Sequence, residues 1–225
     1  MNRPNLRTAG ALASSVALVS LVGAVAWTSP VSAAPGKAPE VYKAKITELN
    51  DSGARSKATI LVRGNQLTVK IDGTGFAPNL VHAQHIHGAV QAANECPNVD
   101  ADTNGDGFID VLEGVPSYGP IATSLTVFGD TSPAAALNLA LHPTANAAGE
   151  IHYRRTFTVA PAMAANITDF HIVQHGIDIN GSGAYDGAKE SELFPVGSGV
   201  PFEITVPATC GQIEAAGNGH NSHNH

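Results

Sequence analysis

Two kinds of metal chemistry are written into this chain. The first is the run Asp102-Thr103-Asn104-Gly105-Asp106-Gly107-Phe108-Ile109-Asp110-Val111-Leu112-Glu113. It matches the twelve-residue EF-hand calcium loop. Asp102, Asn104 and Asp106 supply side-chain oxygens at positions 1, 3 and 5, and Gly107 stands at position 6, where the chain turns sharply. Phe108 offers a backbone carbonyl at position 7, Asp110 can bind through water at position 9, and Glu113 closes the loop as a bidentate carboxylate. Calcium needs several oxygens in a flexible cage, and this spacing supplies them from one short segment. A weaker second loop, Asp178 to Asp186, repeats the first half of the pattern with Asp178, Asn180, Ser182 and Asp186. Lys189 stands at its twelfth position, so Glu190, or Glu192, would have to close it.

The second chemistry is nitrogen-based. In His82-Ala-Gln-His85-Ile-His87-Gly88, strand alternation sends His85 and His87 to one side and His82 to the other. In Phe170-His171-Ile-Val-Gln-His175-Gly176, His171, Val173 and His175 share a face. Imidazoles suit copper or zinc, whereas calcium prefers oxygen. The terminal His220, His223 and His225 could scavenge transition metal from a solvated tail.

The surroundings of these residues bound the class of protein. Arg3 and Arg7, an apolar stretch from Ala11 to Trp27, and Val31-Ser32-Ala33 read as a signal peptide over residues 1–34, interrupted by serines and followed by Pro rather than built as a retained span. The destination is secreted or extracytoplasmic, and no membrane span is expected in the mature chain. The formal net charge is −7, and the leader removes two of the twelve basic residues and no acid. An acidic chain without basic clusters is not a nucleic-acid binder. Two cysteines, Cys96 and Cys210, in an exported chain read most economically as one disulfide.

The elements that must position these residues are short and strand-like. Val41 to Thr47, Ala58 to Val62, Gln66 to Ile71, Leu80 to His87, Ile121 to Phe128, Glu150 to Val159, Asp169 to His175 and Phe202 to Val206 are rich in Val, Ile and Thr, and Gly and Pro punctuate the gaps. Arg63-Gly64-Asn65 reads as a hairpin turn. Short helices are expected at Ala134 to Leu141 and Asp110 to Gly114. About eight strands with turns between them predict an all-β, antiparallel sandwich or barrel over residues 35–213. The Gly/Asn/His-rich stretch 214–225 is expected to be a disordered tail.

Taken together, these residues resemble the copper/zinc superoxide dismutase family. His85-Ile-His87 resembles its His-x-His copper pair, and Cys96 follows His87 at the family's spacing. Thr209-Cys210-Gly211-Gln212-Ile213 resembles the context of its second cysteine, and Ile172-Val173-Gln174-His175 resembles the strand ending in a further copper ligand, with one residue inserted. The resemblance implies a Greek-key sandwich, copper on His85, His87 and His175, and a Cys96–Cys210 disulfide. Asp102 stands where the family has its metal-bridging histidine, and Pro207 where it has a substrate-guiding arginine. No family zinc site is therefore expected. The chain also resembles the chordin-type (CHRD) domain in His-Ile-His-Gly88 and in Leu141-His142-Pro143-Thr144-Ala145-Asn146-Ala147-Ala148-Gly149-Glu150-Ile151. The reading that follows is an exported, non-catalytic metal-binding sandwich with an inserted calcium loop. Calcium and copper are its cofactors, and metal ions are the only partners the sequence indicates. The alternative is a copper-dependent oxidoreductase of the dismutase type.

Overall fold

The structure, a computed structural model, describes residues 38–88 and 92–217. The signal-peptide reading (1–34) and the tail from 218 onward lie outside the described residues. The elements in chain order are β1 (Glu40–Glu48), β2 (Arg55–Arg63), β3 (Gln66–Thr74), β4 (Gln84–His87), α1 (Val111–Tyr118), β5 (Ile121–Ser124), β6 (Ile151–Thr158), α2 (Pro161–Ala165), β7 (His171–His175), α3 (Phe202–Thr205), β8 (Pro207–Gln212) and β9 (Glu214–Ala215). The protein is all-β with a few short helices. No helix among the described residues is long and apolar enough to cross a membrane.

Every strand pairing is antiparallel, in the order β5-β4-β7-β8-β1-β2-β3-β6, with β9 on β1. The sheet curls into a half-barrel because β1 serves both halves. Its residues 40–46 pair with β2, and Thr47 and Glu48 continue onto Cys210 and Thr209 of β8. Arg155 on edge strand β6 donates to the carbonyls of Thr126 and Gly129, just beyond edge strand β5, and so ties the two edges together.

The β2–β3 hairpin follows from its turn. Gly64 takes φ +60° at the first of two loop residues, a conformation that costs glycine nothing. Both strands alternate buried and exposed, as a sheet with one solvated face requires. Ile60, Leu67, Val69 and Ile71 pack inside against Ile86, Leu125, Ile151 and Ile172. Fully burying each large aliphatic contributes about 1.5–3 kcal/mol relative to leaving it in water.

β4 and β7 differ from these strands, being buried on both faces. Inside the half-barrel, Gln174 accepts from Ser56 (2.7 Å) and Thr209 (3.2 Å) and donates to Gln84 (3.1 Å), whose own amide reaches the Leu125 carbonyl. This buried amide ladder holds the register of β4 against β7, since a slipped register would leave its polar groups unsatisfied. The outer face of the two strands carries the histidines.

Several sequence expectations need correction. Phe202 to Val206 is not a strand but helix α3, begun by Pro201, and the strand follows it as β8. The apolar alternation there is real, but Glu203 turns inward to accept backbone N–H groups, which the helical turn permits. Strand pairing over Leu80 to His87 is confined to Gln84–His87 plus a lone bridge from Val81 to Thr144, because Pro143 captures the His82 N–H. Ile121 to Phe128 ends as a strand at Ser124. Ala134 to Leu141 forms two short 3-10 turns, and the predicted helix at 110–114 extends to Tyr118. Pairing on β1 carries the sheet past residue 213, to Ala215.

Candidate metal centre

Register and backbone anchors together build a histidine cluster. His87 lies opposite His171, and His85 opposite Val173, so all four project from the outer face. His175 is the diagonal neighbour of His85 at the end of β7, and its N–H bonds the Ala83 carbonyl. The ring centroids of His85 lie 5.7 Å from His87, 5.1 Å from His175 and 5.3 Å from His142.

Each of three rings is fixed by a main-chain carbonyl. His85 Nε2–H donates to Ala136 O (3.1 Å), His87 Nδ1–H to Gly119 O (2.8 Å) and His175 Nδ1–H to Thr205 O (2.8 Å). A neutral imidazole carries one N–H, so each carbonyl dictates the tautomer and leaves the other nitrogen with a bare lone pair. Those nitrogens, Nδ1 of His85 and Nε2 of His87 and His175, are buried without any hydrogen-bond partner. One ligand nitrogen from each residue can be chosen so that the three lie within 4.8 Å of one another. Nitrogens sharing an ion at about 2.0–2.1 Å stand up to about 4.2 Å apart, so small ring adjustments suffice for a common ligand.

The environment keeps the rings neutral. Burial, and then the neighbouring His175, lowers His87 to about 3. Burial lowers His175 to about 4. Burial and the nearby His175 and His87 likewise hold His85 well below the usual imidazole range. Tyr118 packs edge-on against His87 with centroids 4.7 Å apart, and its buried hydroxyl has no partner. Burial raises that phenol above its ordinary value.

The other histidines divide clearly. His142 accepts from the Gln84 N–H at Nδ1 and donates from Nε2 to Ala135 O, so neither nitrogen is spare. His82 lies off the cluster, its ring nitrogens facing the carbonyls of His175 and Ala77. His171 is buried with both nitrogens unpartnered but stands outside the group of three.

The loop Asp102–Glu113 is drawn in by its own backbone. Asp102 accepts from the N–H groups of Gly105, Asp106 and Gly107, and Asn104 accepts from Asp106. Glu113 accepts from Thr103 and Asn104 with one oxygen and from Asp110 with the other. Asp110 is also the N-cap of α1, forming a capping box with Glu113, so positions 9 and 12 double as a helix start. Only a 3-10 turn, Val99–Ala101, precedes the loop. The Lys189 ammonium meets the Asp106 carboxylate and lies 3.7 Å from Glu192. Asn50 ties the loop to the sheet through Ile109 N–H, Ile109 O and Pro207 O. The Phe108 ring packs edge-on to Phe202.

The second loop has the same plan. Asp178 accepts from Ser182 and Gly183, and Asn180 accepts from Ser182. Ser182 and Asn180 both donate to Asp186. Glu190, expected to close it, accepts from the N–H groups of Gly197 and Gly199. Glu192 lies beside Asp110 of the first loop, whose charge raises its carboxyl above the usual range. The glutamate bonded to this loop's backbone is Glu203, which accepts from the N–H groups of Ile179, Asn180 and Gly187. Sequence reasoning missed Glu203 because it lies far beyond the twelve-residue window.

Cys96 and Cys210 are joined, which pins the segment ahead of the first loop to β8. Val173 and Tyr118 pack against this disulfide. Compared with known proteins, the chain matches no family and no curated protein.

Proposed function

We propose that this protein is an exported metal-binding β-sandwich that holds copper on His85, His87 and His175 and calcium in the loop Asp102–Glu113, without turning over a substrate. The observation that carries the reading is the set of three bare, buried ring nitrogens, each opposite a nitrogen anchored on a carbonyl. A buried acceptor without a partner costs about 1–3 kcal/mol, a penalty that metal ligation removes. Three neutral imidazoles without a thiolate suit a borderline ion, and copper heads the divalent affinity order for such sites. Ligating histidines almost always donate their other N–H to a carboxylate, carbonyl or water, which fixes the tautomer as the three carbonyls do here.

For calcium, Asp102, Asn104, Asp106, the Phe108 carbonyl, Asp110 and Glu113 are the donor set. Asp102 accepts three N–H bonds, which curl the loop and leave it a lone pair, whereas Glu113 accepts four bonds, from Thr103 N–H and Oγ1–H, Asn104 N–H and Asp110 N–H, some of which calcium would displace. An extracellular calcium module of this kind binds with Kd on the order of 10⁻⁴–10⁻³ M. The disulfide supports an oxidising, extracytoplasmic destination. The non-sequential neighbours β4–β7, β8–β1 and β3–β6 support the Greek-key resemblance to superoxide dismutase and CHRD domains.

The three histidines are between 0% and 4% exposed. This enclosure favours storage or structural binding over turnover, which needs an open coordination position reachable by substrate. The test is metal analysis after copper and calcium titration of protein with His220, His223 and His225 replaced by alanine. One copper per chain, lost in His85→Ala and in His87→Ala, with calcium lost in Asp102→Ala, is the expected result. Copper uptake indifferent to those histidines would sink the copper reading. Catalysed superoxide decay by the loaded protein would establish the oxidoreductase alternative.

A further inference from the structure

The carbonyl that orients His175 belongs to a helix held by a buried glutamate. α3 is clamped to the end of β7 by three bonds: His175 Nδ1–H to Thr205 O, Gly176 N–H to Val206 O (3.0 Å) and Ile177 N–H to Glu203 O (2.9 Å). The Glu203 side chain, on the same helix, reaches the other way. Its Oε1 accepts from Ile179 N–H (2.9 Å) and Asn180 N–H (3.3 Å), and its Oε2 from Gly187 N–H (2.7 Å). The residue is 2% exposed, so these bonds form in a low-dielectric setting where a misplaced carboxylate is costly.

The first loop shows the same construction independently. Glu113, on α1, accepts from positions 2, 3 and 9 of its loop, and the chain leaving α1 presents Gly119 O to His87. In both places a glutamate staples an Asp/Gly loop to a short helix, and the C-terminal side of that helix fixes a ligand imidazole. We infer that Glu203 is a positioning residue for the histidine centre: through α3 and Thr205 O it holds the His175 ring with Nε2 directed at the shared site. The inference rests on the copper reading above for its metal readout, and on His175 alone for a second.

Glu203→Gln tests it. A glutamine keeps one accepting oxygen, which can serve Ile179 and Asn180 or Gly187 but not both sides, because its amide nitrogen only donates. Gly187→Ala is the second variant, because a Cβ there would stand 2.9 Å from the Glu203 carboxyl carbon and displace it without removing charge. Asn146→Ala is the control. Asn146 also accepts two backbone N–H groups, of Ala148 and Glu150, in a turn that presents no carbonyl to the cluster.

Two measurements are made on the full chain with His220, His223 and His225 replaced by alanine. One is Cu(II) affinity with the electron paramagnetic resonance spectrum. The other is the ¹H–¹⁵N imidazole spectrum of His175 in metal-free protein. Loss of a group bonded directly to a ligating imidazole typically lowers metal affinity by about 10–100-fold, and Glu203 acts one step further out through Thr205 O, so Glu203→Gln should lower copper affinity by about tenfold, with an altered copper spectrum. Gly187→Ala should fall in the same direction by less, and Asn146→Ala should lose stability with copper affinity essentially unchanged. In the metal-free spectrum, His175 should show a single Nδ1–H tautomer in the parent and mixed tautomers in Glu203→Gln. Parent-like copper affinity and tautomer in Glu203→Gln overturn the inference. Should that variant not fold, the same result in Gly187→Ala overturns it. A parent protein that binds no copper while the tautomer still shifts in the variant overturns the copper reading and leaves the positioning role standing.

Discussion

Acidification of the metal-free protein separates a dry histidine cluster from an ordinary hydrated one. His87 titrates at about 3 and His175 at about 4 in the folded chain, both driven down by burial. Unfolded, each would titrate at about 6.5. A depressed folded value means that the native state is unpenalised above about pH 6.5 and loses stability as pH falls toward the folded values, because the unfolded chain takes up protons that the native chain refuses. Between pH 7 and pH 5 each ring should cost about 2 kcal/mol, so the pair should cost about 4 kcal/mol. His85 is shifted in the same direction and adds to the fall. Carboxylates with depressed values contribute only below about pH 5, outside this window. The assay is urea denaturation at pH 7, 6 and 5 in the presence of a chelator, on the parent and on His87→Gln. The parent should lose stability steadily across the window, and the variant should lose about 2 kcal/mol less over the same interval, whatever its starting stability. Equal slopes for parent and variant would refute the reasoning, for they would mean that His87 takes up its proton without leaving the fold.

Two further outcomes follow from the loops. Lys189 lies on Asp106 and beside Glu192, where its charge opposes a cation in the first loop. Its side chain is 41% exposed, so screening trims the effect to about 1 kcal/mol, and Lys189→Met should tighten calcium by roughly fivefold in low salt. Calorimetric titration reading an unchanged or weaker affinity would show that Lys189 does not compete with calcium there. Asn50 holds φ +56° while its side chain bonds Ile109 N–H, Ile109 O and Pro207 O. Asn50→Ala should therefore lower unfolding stability by about 2–4 kcal/mol, through left-handed strain and lost bonds together. Chemical denaturation showing a loss under 1 kcal/mol would contradict that account.

Local pattern carried a large part of this protein. Period-2 alternation in 41–47, 58–71 and 150–159 was enough to place β1, β2, β3 and β6, because those strands bury one face and wet the other. Alternation also put His85 with His87, and His171 with His175, on shared faces, and the two cysteines could pair only with each other. The twelve-residue spacing from Asp102 to Glu113 made the first loop legible, and its closing residues proved to cap α1 as well.

Alternation failed where burial was not one-sided. The segment 202–206 has a strand's apolar rhythm, yet Glu203 is drawn inward by backbone donors of another loop and the chain coils as α3. Only the tertiary structure decided which histidines matter and by which atom. His142 lies as near to His85 as His175 does, but both its nitrogens are engaged. His85, His87 and His175 are each left one bare nitrogen by carbonyls 51, 32 and 30 residues away in sequence. No window of sequence contains both a ring and its anchor, so the tautomer, the bare nitrogen and the bonds of Glu203 to the second loop are properties of the folded chain alone. Side-chain type and local period set what could bind. Long-range hydrogen bonds set which atoms were left free to do it.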